Sequence, residues 1–389
     1  MKRRSLLIGS GSLALAALLG GCSRRDNGLR VLFLEDSVPP QVLKAFRNAL
    51  TQPLPLSFVP RPQIASLFEQ LETWQTADSA RGADLVTLGD AWLTEAIQQR
   101  LIQPLDMSSI PGWERVPKPW QDLVMRDRQG APSAAGQVWG APYRWGSVAI
   151  AFRRDQLEPL GWQPQDWGDL WRPELAGRLS LPDSPRTVLG LVLKKIGRSV
   201  NEANLEAVPN FQEELAALDR QVKFYSSTDY LQPLLIDDTW AAVGWTTDIL
   251  PVMQGDPRIG AVIPASGTML FSDLWVRPTR SPAAESENRA IAESALAQWI
   301  DFCWQPEAAT RLSLQTSAVS PIFALDASDL PTDLRNRELR LPAESILQKS
   351  EFLFPLSPAS ASQFRQAWSA LPRQASGGLS AQQSRQTVA

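Results

Sequence analysis

Two residues three apart, Trp245 and Asp248, set an indole beside a carboxylate at the end of the stretch LLIDDTWAAVGWTTD, residues 234–248. An ammonium group is attracted to both surfaces, because the carboxylate accepts its charged N–H donors and the ring face favours a cation or the alkyl carbons next to it. The pair therefore suits a small organic cation. It equally suits a core tryptophan beside an aspartate that caps a helix. A second aromatic and acid pair, Phe271 and Asp273 in MLFSDLWV, shares one face of an alternating strand while Leu274 takes the other. Asp36, Asp90 and Trp92 follow apolar strand-like runs, and parallel sheets gather ligands at the carboxyl ends of their strands. Each of those three also suits a cap or a packing role.

The 389 residues include no histidine. This excludes a Ser/His/Asp triad, a Cys/His pair and the commonest zinc and iron ligand sets. With only Tyr143, Tyr225 and Tyr230 as phenols, an iron receptor is poorly supported, and no metal or cofactor is expected. No Ser-x-x-Lys nucleophile or Walker-type phosphate loop is found. Paired acids alone can hydrolyse glycosides, so a secreted carboxylate glycosidase using Asp248 and Asp273 is a remote alternative to a non-enzymatic binder.

The opening MKRRSLLIGSGSLALAALLGGC has a basic start, an apolar run and small residues, the pattern of an export signal over residues 1–21. Arg3 and Arg4 sit where a twin-arginine signal carries them, and the ending before Cys22 resembles the bacterial lipobox, which makes Cys22 the expected lipid-modified residue. Cys303 then has no partner and is expected to be a buried small apolar residue. Loss of the leader removes Lys2, Arg3 and Arg4 and no acid, leaving 35 basic side chains against 41 acidic. Such a surface disfavours nucleic acid and tolerates a cationic partner.

Positioning these side chains takes an α/β chain. After a tether at 22–28, the runs 29–34, 42–50, 54–59 and 64–74 predict strand, helix, strand, helix. A buried strand over 83–88 leads into a helix over 91–100, with Asp90 as its N-cap. WGAPYRWGSVAIAF, 139–152, predicts an irregular start that ends in a strand and crosses between lobes. The tryptophans of 161–173 are expected to be structural. Strands are predicted at 179–181, 222–225, 240–245, 259–263 and 269–276, and helices at 187–196, 211–218 and 285–304, with Pro306 opening another. Residues 374–389, rich in Ser, Gln and Gly, read as a disordered tail.

WGAPYRWG, WGDLWRPELAGRLSLPDSPRTVLGLVLKKIGRSVN and AAVGWTTD, together with ADLVTLGDAWLTEAIQQRLIQPLD, resemble the bacterial extracytoplasmic polyamine-binding proteins, receptors of ABC importers. The likeness spans residues 29–371. It implies a type II periplasmic-binding-protein fold with a ligand cleft between two lobes joined by two chain crossings. Lobe 1 would be 29–142 and 274–322, and lobe 2 would be 143–273 and 323–373. The resemblance makes Trp245 a stacking wall, Asp248 and Asp273 amine-binding carboxylates, Phe271 an aromatic wall, and Asp36, Ser227 and Trp92 further cleft residues. It implies a monomer that carries a small cationic amine, such as putrescine or spermidine, to a membrane permease. Two positions depart from the pattern: Leu34 replaces an aromatic wall, and Arg186 and Thr187 stand where a ligand-binding glutamate is expected. Arg186 could then pair with a ligand carboxylate, or sit at a helix start on the surface. Another ligand, such as an amino compound or an anion, and a retained scaffold are the further alternatives.

Overall fold

The continuous apolar run Leu29–Leu34 (β1) cannot face water on either side. In the computed structural model, which describes residues 28–76, 82–279, 289–328, 330–332, 334 and 336–372, it is the middle strand of a parallel trio. Its neighbours are β2 (Leu56–Arg61) and β3 (Leu85–Gly89). Three two-residue strands follow, β4 (Ile102–Gln103), β5 (Met125–Arg126) and β6 (Gln137–Val138). The thirteen residues of β7 (Ala141–Arg153) are all buried. A second parallel trio consists of β8 (Leu179–Leu181), β9 (Val222–Tyr225) and β10 (Ala241–Trp245), with β8 in the middle. β11 (Ile259–Val262) lies antiparallel to β7. β12 (Met269–Pro278) runs antiparallel to both β7 and β3, and β13 (Glu351–Phe352) joins its start in parallel. One eleven-stranded sheet results, ordered β2-β1-β3-β12-β7-β10-β8-β9 along its main path.

Apolar side chains divide into two main bodies. One surrounds β1 to β3 and includes Phe46 and the stacked pair Tyr143 and Trp275, whose ring centroids are 4.2 Å apart, with Trp299 edge-on. The other surrounds β8 to β10 and includes Trp167, Phe211 and the helix Pro185–Lys195, with a smaller cluster on the far face of β10. Along β7 the change from the first body to the second falls between Trp145 and Val148. Along β12 it falls between Met269 and Leu270. Two neighbouring strands thus carry the chain across, which is the two-lobed type II arrangement.

The expected irregular start of β7 is extended, with one irregularity. Pro142, which has no N–H to give a ladder, pairs with Leu274 across a register shift that leaves Tyr143 as the extra residue of β7, and the strand continues through it. Gly146 is needed for a close approach: a Cβ there would come within 2.6 Å of the Phe271 ring. Trp167 is wholly buried, while Arg172 and Lys195 lie over Trp162 and Trp171 at 4.0 and 4.6 Å, so these tryptophans are structural as expected. Cys303 is free and buried. The export signal, Cys22 and the 374–389 tail lie outside the described residues.

Candidate functional site

Trp245 is the last residue of β10, and the helix Thr246–Gly255 begins at once behind it. This places Asp248 in the first helical turn, where the positive end of the helix dipole favours an acid. Asp248 caps nothing. Its Oδ2 accepts the Tyr230 hydroxyl at 2.5 Å, and the same hydroxyl accepts the Trp245 N–H at 3.3 Å. The Tyr230 and Trp245 rings meet edge to face at 5.6 Å. Gly244 makes room for this, since a Cβ there would fall 1.9 Å from Tyr230 Cε2. Trp245 is half-buried and Asp248 is exposed, so indole and carboxylate are both reachable from solvent. The protein around the carboxyl desolvates it and holds it above the ordinary aspartate range, against the Tyr230 hydrogen bond and the positive charge of Arg144.

Arg144 and Asp273 face each other across β7 and β12, and Arg144 Nε donates to Asp273 Oδ2 at 2.5 Å. Both are buried, about 6% and 4% exposed, which makes the pair an internal one rather than a surface contact. The Arg144 guanidinium also lies beside the Tyr143 hydroxyl, which donates to Ser37 Oγ at 2.9 Å. Next to the pair, Asp90 accepts the Ser272 N–H at 3.0 Å. Burial, helped by the charge of Asp273, pushes Asp90 up to about 7, against the pull of that N–H and of Arg126. Arg126 is itself buried, with Nε on the Leu123 carbonyl at 2.8 Å and its guanidinium 5.1 Å from the Phe354 ring centre. Phe271 packs on Gly146, and the Ser147 N–H reaches Thr246 Oγ1 at 3.2 Å, tying this group to the Trp245 corner.

Trp245, Asp248, Phe271 and Asp273 therefore gather where β7, β10 and β12 run together. Among the described residues, Asp36, Trp92 and Ser227 share no hydrogen bond with this group. Asp36 is exposed in a turn after β1, with the left-handed φ of 59°. Trp92 packs on Phe68 at 4.5 Å. Ser227 is exposed, and its hydroxyl is taken by the Asp183 carbonyl at 2.9 Å. Asp90 is not the expected N-cap, because its carboxylate turns to β12 instead. Nor does Arg186 offer itself to a ligand carboxylate. Its Nη2 is held by Asn201 Oδ1 and the Phe354 carbonyl, both at 3.0 Å, and its guanidinium covers Phe364, so it fastens the C-terminal segment to a helix start. Thr187 is buried against the cap residue Ser184.

Sequence reasoning missed Arg144 and Tyr230. Arg144 had a signal: a lone charge inside the apolar run of β7 must find a counter-charge if the strand is buried. For Tyr230 the signal was Gly244, since a glycine inside a strand marks a close approach by another group. Among the described residues, no group of three or more His, Cys, Asp or Glu side chains could hold a metal ion, and no helix is long and apolar enough to cross a membrane.

The spermidine/putrescine-binding periplasmic protein of Salmonella typhimurium is 24% identical over 355 residues, 91% of this chain and 94% of its own length. The putrescine-binding periplasmic protein PotF of Escherichia coli is 23% identical, over 67% of this chain and 68% of its own. In structure, the spermidine/putrescine ABC transporter substrate-binding protein PotD from Streptococcus pneumoniae matches with a TM-score of 0.73 at 18% identity, covering 88% of this chain and 97% of that one. A periplasmic thiamin-binding protein shares the fold at a TM-score of 0.53 and 17% identity, so the architecture alone does not name a ligand. Residues 81–349 match the bacterial extracellular solute-binding proteins, and the chain belongs to that family of transport receptors.

Proposed function

We propose that this protein is the extracytoplasmic receptor of an ABC importer, that it binds a small aliphatic amine of the polyamine class, and that it hands the amine to a membrane permease without chemical change. The observation that carries this reading is the Trp245 and Asp248 corner, an indole and a carboxylate presented together to solvent at the carboxyl end of β10. An ammonium held by Asp248 would leave its methylenes on the indole, which asks for no hydrogen bond in return. The names of the relatives agree with an amine as cargo. Asp36, Trp92 and Ser227 complete the proposed cleft at its rim, with the chain crossing between lobes along β7 between Trp145 and Val148, along β12 between Met269 and Leu270 rather than at 142/143 and 273/274, and again near 322/323. Cleft closure on the amine would be the signal read by the permease.

In the same reading the protein acts as a monomer, and Cys22 carries a lipid that holds it at the membrane surface after export. Mass spectrometry of the membrane-extracted protein should show the acyl mass on Cys22, and none in Cys22→Ser. Calorimetry with putrescine, spermidine and a set of amino acids tests the cargo. Binding of at least one amine is expected, weakened about tenfold or more in Asp248→Asn, a loss of about 1.4 kcal/mol. Heat from no amine, or an Asp248→Asn protein with undiminished affinity, would refute the amine reading.

A further inference from the structure

A diamine needs a free carboxylate at each end, and here one of the two acids is already answered from within the chain. Arg144 Nε holds Asp273 at 2.5 Å, inside the protein, at the place where an amine-binding carboxylate was expected. A second ligand ammonium brought to Asp273 would have to displace a buried guanidinium or lie beside it, and both are unfavourable. Among the described residues, no carbonyl or carboxylate besides Asp273 accepts from the Arg144 guanidinium, whose other polar neighbour is the Tyr143 hydroxyl. Arg144 also lies close enough to Asp248 for its charge to act on that carboxyl, so acid and guanidinium belong to one site.

We infer that the cargo carries a single ammonium, placed at Asp248 and Trp245, and a hydrogen-bond acceptor at its other end, placed at Arg144: a capped amine, either an ω-amino acid or a mono-acylated diamine, in place of a free diamine. This rests on the amine reading of the Trp245 corner and narrows it. Both caps share the chemistry Arg144 recognises, since its Nη donors can bind a carboxylate in parallel or a single amide carbonyl.

Three probes built on a four-carbon chain decide the matter: putrescine, N-acetylputrescine and 4-aminobutanoate, titrated calorimetrically into the full-length protein. At least one capped probe is expected to bind roughly tenfold or more tightly than putrescine, and the better of the two tells an acyl oxygen from a carboxylate. In Arg144→Gln the ratio should move toward putrescine by a similar factor, as Asp273 becomes free. The ranking in the unmodified protein stands even where that variant folds poorly. Tighter binding of putrescine than of both capped probes overturns the inference and leaves the amine reading intact. No binding of any of the three overturns both.

Discussion

Arg144 and Asp273 pair across β7 and β12, the two strands that also carry the chain between its lobes. Each charge alone would be costly to bury, so the pair is held by mutual need more than by net attraction.

Removing one partner should therefore hurt more than removing both. Asp273→Asn is expected to lower stability by about 3 kcal/mol or more in denaturant unfolding, since it strands a buried guanidinium. Arg144→Met combined with Asp273→Leu should cost clearly less. Equal losses in the single and double variants would contradict this account.

The Asp90 carboxyl should make its mark on the pH dependence of stability. Its folded value of about 7 lies above the ordinary 3.8, so between pH 4 and 7 the folded state binds more protons than the unfolded one. Stability from this group is present below pH 4 and is lost as pH rises through 7. Asp90→Asn keeps an acceptor for the Ser272 N–H and carries no charge. It should gain on the parent protein steadily from pH 4 to pH 8, by on the order of a few kcal/mol in chemical unfolding. A constant difference across that range would rule the burial argument out.

Gly244 and Tyr230 should behave as one unit. A methyl at 244 needs the space of the Tyr230 ring, so Gly244→Ala is expected to cost about 1–3 kcal/mol and to pull the phenol from Asp248. Adding Tyr230→Ala to Gly244→Ala should cost less than the sum of the two single changes. Thermal unfolding of the four-member cycle measures the coupling, and strict additivity would exclude it.

For the indole wall, Trp245→Leu is expected to keep the fold, since the side chain is only half-buried, while weakening amine binding by about 1–2 kcal/mol. A Trp245→Phe protein, which keeps a smaller ring, should fall between. Calorimetry on the pair gives the order directly.

Much of the fold was legible because the signal was periodicity and burial. β1, β8 and β9 were predicted with their observed bounds, and β10 within a residue, because each is a short run between turn residues. β7 was read as half irregular because local rules for Pro142 and Gly146 argue against a strand, and only β12 alongside shows why both are tolerated. In the site, Trp245 with Asp248 and Phe271 with Asp273 could be found from spacing alone. The Arg144 partner of Asp273 lies 129 positions away, and no local pattern marks which buried acid a lone arginine will choose. Arg186 misled for the same reason: its acceptors, on Asn201 and Phe354, are distant in sequence, and a helix-start arginine looks available until they are seen.

The adjacency of β7 and β12 has a mechanical consequence. Two lobes hung from separate loops could swivel about many axes, but these hang from a ribbon of two laddered strands, which resists twist and in-plane shear because either would break its rungs. Flexing perpendicular to the ribbon costs no rung. Opening and shutting along that direction is therefore the motion these two strands resist least, and the Arg144 and Asp273 clasp lies on the same ribbon, three residues along β12 from the Leu270 and Ser147 pair.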